Sequence, residues 1–463
     1  MPIFSCSGCH ERDRQIARLR EKISDFEREI QHLREELATA RREGHRQAAP
    51  FRRSGLKKRR KRSGRRKGHP AANRPTPPPE RIDRVVEVPC RTCPDCATEL
   101  VERDSVIQYQ TDLPPIVPIV TQFKIETGYC PCCRQRQQGR HPEQTSDAIG
   151  AAGNTFGPVI LTMAAELKHR LGVPYRKICD FFDTYCDLSV SPAALVRAER
   201  RLTDLAKPTY DLLIDALRKS DVVHADETGW RINSLNAWLW VFSNQNVTIY
   251  AIRSGSGARG HGVPDEILGP DFDGFLVVDG FSCYNVLNYK KGQCNAHLLR
   301  RAKKERETAT PTEQAHLDRL IKLIQDAIAL AERRAAVSDA NFLRQAHQME
   351  DRLIEWLCQL PKNPSDDLER LANHVRNHAH EWLAFLFHPE VPPTNNHAER
   401  MLRPAVITRK VGGCNKSLLG ALVHSVLSSV MTTCKQRGHR FLDLARQLWQ
   451  SREPQAIPIP TDL

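Results

Sequence analysis

Hydrophobic residues recur near the start of the chain at alternating steps of three and four, through Ile16, Leu19, Ile23, Phe26, Ile30, Leu33 and Leu37, with Arg, Glu and Gln between them. A narrow apolar seam on an otherwise charged helix predicts a coiled coil, because a second helix covers such a stripe better than the chain's own core would. A single amphipathic helix packed on its own chain is the alternative. From Gly157 to about Leu217 the pattern is again helical. Tyr175-Arg-Lys-Ile-Cys-Asp-Phe-Phe182, followed by a helix opening at Ser191-Pro192, reads either as a helix-turn-helix presenting Arg197, Arg200 and Arg201 to a DNA groove or as a plain helical hairpin.

Between 221 and 285 the period shortens to that of strands: Val222 to Ala225, Ala237 to Phe242, Val247 to Ile252 and Gly274 to Val278, with a short helix near Asp265 to Leu268. Three strands with short connections, a helix and a fourth strand predict a mixed α/β sheet in the order of a ribonuclease-H-like core. Further on, Ala315 to Ala336, Phe342 to Leu360, Leu368 to Phe387, Leu418 to Thr432 and Phe441 to Trp449 carry helical spacing.

Charge changes the picture more than bulk composition does. The chain of 463 residues carries 69 Lys and Arg against 55 Asp and Glu, a net +14 that points to an anionic partner. No acidic residue falls between Gly44 and Pro79, where Arg52, Arg53, Lys57, Lys58, Arg59, Arg60, Lys61, Arg62, Arg65, Arg66 and Lys67 crowd together. Such a run suits phosphate contacts, though a solvated tether has the same composition, and the proline-rich ANRPTPPPE after it is a semi-rigid spacer. The first residues, MPIFSCSGCHERDR, lack a signal-peptide core and no apolar stretch reaches a bilayer's width, so a cytoplasmic protein with no membrane partner is expected.

Eight of the 15 cysteines precede residue 134. In a long chain of this kind they suggest metal ligation more than disulfides. Cys93 and Cys96, and Cys130 and Cys133, form two CxxC pairs around a β-rich stretch such as Val117 to Lys124, as in a zinc ribbon with four thiolates at tetrahedral corners of a structural Zn²⁺. Cys90 and Cys132 are alternative ligands. Cys6 and Cys9 beside His10 form a third pair with no matching half, and Cys294 with His297 is a CxxH pair that is half of a metal site, a means of placing His297 near DNA, or a buried, hydrogen-bonded histidine. Ser254-Gly-Ser-Gly-Ala-Arg-Gly-His-Gly262 lacks the ending of a nucleotide-binding loop and reads as a flexible connection.

Two acids sit where the predicted sheet would display them. Asp226 and Asp279 each follow an apolar strand directly, and as neighbours they could share Mg²⁺ or Mn²⁺, hard cations that take a few carboxylate oxygens. Glu399, in PTNNHAERMLR, stands three residues after Asn396 before an apolar helix, which is also the spacing of a capping box.

Taken together, HADETGW, VVDGFSCYN, CNAHLLRR and NNHAERMLR resemble the DDE transposases of bacterial insertion-sequence family sixty-six, and the zipper, basic linker and cysteine segment follow that family's order. The resemblance implies a catalytic trio of Asp226, Asp279 and Glu399 holding two divalent ions on a ribonuclease-H-like domain, which cuts and rejoins DNA at the ends of a mobile element. It also implies small accessory proteins as partners. Asp226 and Asp279 are 53 residues apart, and 120 residues separate Asp279 from Glu399, a gap that calls for an inserted helical domain.

The expected architecture is a multidomain α/β protein. It comprises a coiled coil over 1–45 that self-associates, a linker over 46–84, a zinc-ribbon-like domain over 85–145 and a helical region over 146–220. A catalytic domain over 221–410 follows, with its insertion at about 300–392, and then a helical region over 411–463. Two other functions share parts of this pattern: a non-catalytic zinc-containing DNA-binding regulator, which leaves the three acids unexplained, and a structure-specific nuclease with the same metal chemistry, which would cut without joining.

Overall fold

A computed structural model describes residues 74–101, 104–153, 155–451 and 453–461, together with 19, 20, 22, 23, 25, 26, 29 and 30. The basic run from Arg52 to Lys67, the seam residues Ile16, Leu33 and Leu37, and Cys6, Cys9 and His10 lie outside the described residues. The chain divides into two units, Met1–Leu113 and Pro114–Leu463.

In the first unit Leu19, Ile23, Phe26 and Ile30 are helical and exposed, the stripe the heptad pattern predicts. Cys93 and Cys96 flank a tight turn closed by an Ala97 N–H to Cys93 O bond and a bridge between Thr92 and Glu99.

The second unit begins with an antiparallel hairpin of β1 (Thr127–Cys130) and β2 (Gln135–Gln138) around the second CxxC turn. The expected strand at Val117 to Lys124 is absent; that stretch is irregular, with Val117, Ile119 and Val120 exposed, so an extended pairing there would gain no burial among the described residues. Three helices follow: α1 (Pro158–Ala165), α2 (Tyr175–Cys186) and α3 (Pro192–Arg218). Ser191 caps α3 through Ala194 N, with Pro192 in the first turn as the sequence predicts. α3 runs for 27 residues, and Leu202, Ala206, Tyr210, Leu213 and Leu217 on it pack into the main core. Arg201 lies over the Trp449 ring, 5.3 Å from its centroid.

The sheet that follows has five strands in the order β5-β4-β3-β6-β7: β3 (Val222–Ile232), β4 (Leu235–Ser243), β5 (Thr248–Ser254), β6 (Phe275–Val278) and β7 (Lys290–Gln293). The first three form an antiparallel meander; β6 and β7 run parallel to β3, reached through helix α4 (Gly262–Leu268). The pattern foresees four of the five. β7 escapes it because Lys-Lys-Gly-Gln carries no apolar alternation; its Gly292 and Gln293 are buried by neighbours distant in sequence.

After α5 (Asn295–Arg306) come further helices, as the helical spacing predicts: α6 (Pro311–Glu332), α7 (Asp339–Cys358), α8 (Asp366–Asn377), and the short α9 (Ala379–Trp382) and α10 (Ala384–Phe387). Its core gathers Leu317, Leu320, Ile324, Phe342, Leu353, Trp356, Leu371 and Val375. Glu313 forms a full capping box with Thr310 and reaches Ser365 N at 2.7 Å, joining the starts of α6 and α8.

The chain closes with α11 (Asn396–Gly412), α12 (Leu418–Gln436) and α13 (Phe441–Gln450). α12 is long and apolar enough by composition to cross a membrane, but 67% of that stretch is buried inside the protein. Its hydroxyls satisfy the open edge of β5. Thr433 Oγ1, Ser429 Oγ and Ser425 Oγ accept from the N–H groups of Thr248, Tyr250 and Ile252 at 3.1, 2.8 and 3.2 Å. Four helical residues rise ~6 Å and two strand residues ~6.7 Å, so the two ladders keep step. The edge that could recruit another strand is thereby closed.

Candidate active site

β3 and β6 pair in parallel with Val222 opposite Phe275, Val223 opposite Leu276 and His224 opposite Val277, a constant offset of 53. Two residues further at the same offset stand Asp226 and Asp279 (279 − 226 = 53). Side chains at one level of neighbouring parallel strands project to the same side about 4.8 Å apart, so the two carboxylates face one another's field. Asp226 is not at a strand end as expected, since β3 continues to Ile232 on its pairing with β4; it stands where the shorter β6 has just ended.

Local hydrogen bonds hold both acids. Asp226 Oδ1 accepts from Glu227 N at 2.8 Å, and Asp279 Oδ1 from Phe281 N at 3.0 Å. The turn after Asp279 needs Gly280, whose φ is +88° and where a Cβ would stand 3.0 Å from His374 Nε2. Burial, then the charges of Asp279 and Glu227, push the Asp226 carboxyl up to about 7. That is a donor set suited to a hard divalent cation, which would relieve both the repulsion and the burial cost.

Glu399 comes to this face on α11, which is fixed to β3 at both ends. At its start the buried Asn395 donates from Nδ2 to Ala225 O at 2.7 Å, and its Oδ1 lies 2.9 Å from His224 Nδ1, so that nitrogen carries the proton. Burial lowers the His224 pKa to about 4, consistent with a neutral ring. Asn395 N donates to Cys294 Sγ at 3.1 Å. Towards its end Arg409 Nη1 donates to Thr228 Oγ1 at 2.9 Å and to Gly229 O, and past the helix Trp230 Nε1 donates to Asn415 Oδ1 at 2.8 Å.

The capping-box reading of Glu399 does not hold. The helix is capped one residue earlier, by Asn395, whose side chain makes no cap bond because it is spent on β3; Glu399 is therefore fourth, out of reach of a box. Its Oε1 meets Arg300 Nη2 at 2.8 Å and His297 Nε2 at 3.7 Å, while its charge still adds to the raising of Asp226.

The structure thus sets the two aspartates at one level and Glu399 beside them, engaged by Arg300. Among the described residues no group of three or more His, Cys, Asp and Glu is gathered closely enough to hold an ion. The CxxH pair is divided: the buried Cys294 accepts from Asn395, and His297 faces Glu399.

Sequence reasoning missed a second polar cluster on the opposite side of β3. Glu227, with its side chain 2% exposed, pairs with Arg259 at 2.8 Å and takes the Tyr284 hydroxyl at 3.3 Å. The guanidinium lies against the rings of Trp238 and Phe281, 4.1 and 3.8 Å from their centroids. The glycine-rich segment is therefore pinned rather than a flexible connection, and Trp240 Nε1 holds it again through Ala258 O at 2.9 Å. The signal lay in Arg259, a lone cation among glycines.

Each cysteine pair forms its own turn within its own unit. Cys96 Sγ hydrogen-bonds Thr98 Oγ1 at 3.3 Å, a contact that lowers the Cys96 thiol's pKa, and bonds with Cys133 lower that of Cys130.

No curated protein matches this chain. The family model described as Transposase IS66 family matches residues 153–422, which is 422 − 153 + 1 = 270 of 463 residues and takes in Asp226, Asp279, Glu399 and the sheet that carries them, so the chain belongs to that family of transposases.

Proposed function

We propose that this transposase acts by the DDE mechanism, with Asp226, Asp279 and Glu399 as the acids that hold two Mg²⁺ or Mn²⁺ ions for cleavage and joining of DNA strands. The shared level of Asp226 and Asp279 on adjacent parallel strands carries the reading. The strand order, three antiparallel followed by two parallel on the far side of the first, supports a ribonuclease-H-like core. Two divalent ions, when bound, stabilise charge on the attacking and leaving oxygens of an in-line displacement.

The residues do the rest. Asp226, with a pKa near 7, is readily deprotonated as a cation arrives. The Asp279 turn and the Asn395 bridge hold the carboxylates still, so little reorganisation is needed at the moment of reaction. The basic run of Arg52, Arg53, Lys57, Lys58, Arg59, Arg60, Lys61, Arg62, Arg65, Arg66 and Lys67 supplies phosphate contacts. The exposed stripe at Leu19, Ile23, Phe26 and Ile30 pairs with a second copy. Within each unit the cysteine pair, Cys93 with Cys96 and Cys130 with Cys133, offers two thiolates for zinc ligation, a reading supported by the lowered pKa of one thiol in each pair.

The test is mobilisation in cells of a marker flanked by this gene's bordering DNA, comparing the wild type with Asp226→Asn and Glu399→Gln. Movement by the wild type and none by either variant is expected. Cut ends without joined products would favour a nuclease, and binding without cutting a regulator.

A further inference from the structure

Of the three acids, Glu399 alone carries an ion pair to arginine among the described residues. Arg300 Nη2 lies 2.8 Å from its Oε1 and 3.2 Å from His297 Nε2. The Arg300 side chain is 60% exposed and that of Glu399 34%, so the pair sits on the solvent rim of the acid face and opens without disturbing the core.

A guanidinium and a divalent cation compete for one carboxylate oxygen, and each repels the other. The group best able to take Arg300 away is a phosphate, whose oxygens match the planar fork and whose charge is the larger. Arg300 lies on α5, where Lys303 and Lys304 are also exposed, while Arg301 is engaged by Glu305 at 2.8 Å and Arg306 by Asp318 at 2.6 Å. An incoming DNA backbone would therefore meet Arg300 beside two further cations.

We propose that Arg300 is a phosphate-operated latch: without DNA it occupies Glu399, and a backbone phosphate of bound DNA draws it off, freeing Glu399 to join Asp226 and Asp279 around the divalent ions. This rests on the acidic-trio reading. Arg300 is a positioning residue, and the latch couples metal loading to the presence of substrate. By linkage, the metal strengthens DNA binding by the same factor as DNA strengthens metal binding.

The test titrates the full-length protein with Mn²⁺ by calorimetry, with and without a short DNA duplex. A solvent-exposed ion pair is worth up to about fivefold, so Arg300→Gln is expected to bind Mn²⁺ about fivefold more tightly than the wild type without DNA, and to gain less from the duplex. Arg301→Gln, which removes the same charge from the same helix, is expected to change little, and the gain is expected to vanish in a Glu399→Gln background. Equal Mn²⁺ affinity of Arg300→Gln and wild type, with Glu399→Gln weaker than both, overturns the latch and leaves the trio standing. Unchanged affinity in Glu399→Gln removes that residue from the ligands, and the latch with it. A gain in Arg301→Gln equal to that in Arg300→Gln reduces the effect to bulk charge and also overturns the latch.

Discussion

Asp226 and Asp279 stand at the same level on neighbouring parallel strands, one on the long β3 and one just past the end of the short β6. Burial of Asp226, and then its proximity to Asp279, costs stability when no cation is bound. The folded pKa of Asp226 is about 7 against an ordinary 3.8, so the native state keeps its proton while the unfolded state releases it. Native stability therefore falls as pH rises from about 4 to 7, and the loss is complete above 7.

Asp226→Asn removes that slope. In the metal-free protein the variant is expected to be more stable than the wild type at pH 8, by about 1 to 4 kcal/mol, and equally stable near pH 4. Thermal unfolding in a chelator at the two pH values measures it. A wild type at least as stable as the variant at pH 8 would count against the raised carboxyl.

Asn395 fixes Glu399 to the strand that carries Asp226 through Ala225 O and His224. Losing the bridge lets the third acid drift by something like an ångström, and Asn395→Ala is expected to lower metal-dependent strand cleavage about 100-fold. Circular dichroism should show an intact fold. Cleavage at the wild-type rate would mean that α11 is placed by packing alone.

The Glu227–Arg259 pair is asymmetric, because the carboxylate is buried and the guanidinium half open. Arg259→Ala leaves a buried, uncompensated charge and is expected to cost about 2 to 4 kcal/mol, more than Glu227→Gln does. Burial chiefly raises the Glu227 pKa, so the Arg259→Ala penalty should shrink towards low pH as the acid takes up its proton. Denaturant midpoints at pH 5 and 8 check both statements.

Ser429 completes the edge of β5 by accepting from Tyr250 N. Ser429→Ala strands a buried N–H and is expected to cost about 1 to 3 kcal/mol, whereas the same change at the exposed Ser417, which caps α12 through Gly420 N at 3.0 Å, should cost about 1 kcal/mol. Equal effects would mean that water reaches the strand edge.

The elements that declare themselves in the sequence are those whose burial pattern is periodic. The meander, the helices between Pro311 and Phe387 and the last two helices were legible because Leu239, Val241, Leu317, Leu320, Val426 and Val430 repeat at the strand or helix period. Asp226 and Asp279 were legible as acids closing apolar runs, although their shared level depends on a register that no local pattern encodes. β7 and the Glu227–Arg259 pair were not legible, since both are defined by contacts between distant segments. The helix start at Glu399 was misplaced by one residue because Asn395 and Asn396 are equally good caps on paper, and only the β3 bonds decide between them.

The central claim is that Asp226 and Asp279 are ligands of divalent cations in DNA strand cleavage. Its most direct test is a change of metal preference: purified Asp279→Cys assayed on duplex carrying the element's end, in Mg²⁺ and in Mn²⁺. A thiolate suits hard Mg²⁺ poorly and a softer ion better. Cleavage lost in Mg²⁺ and restored by Mn²⁺, with Asp279→Asn inactive in Mg²⁺, is the predicted result. Asp279→Cys or Asp279→Asn cleaving as the wild type does in Mg²⁺ would contradict the account.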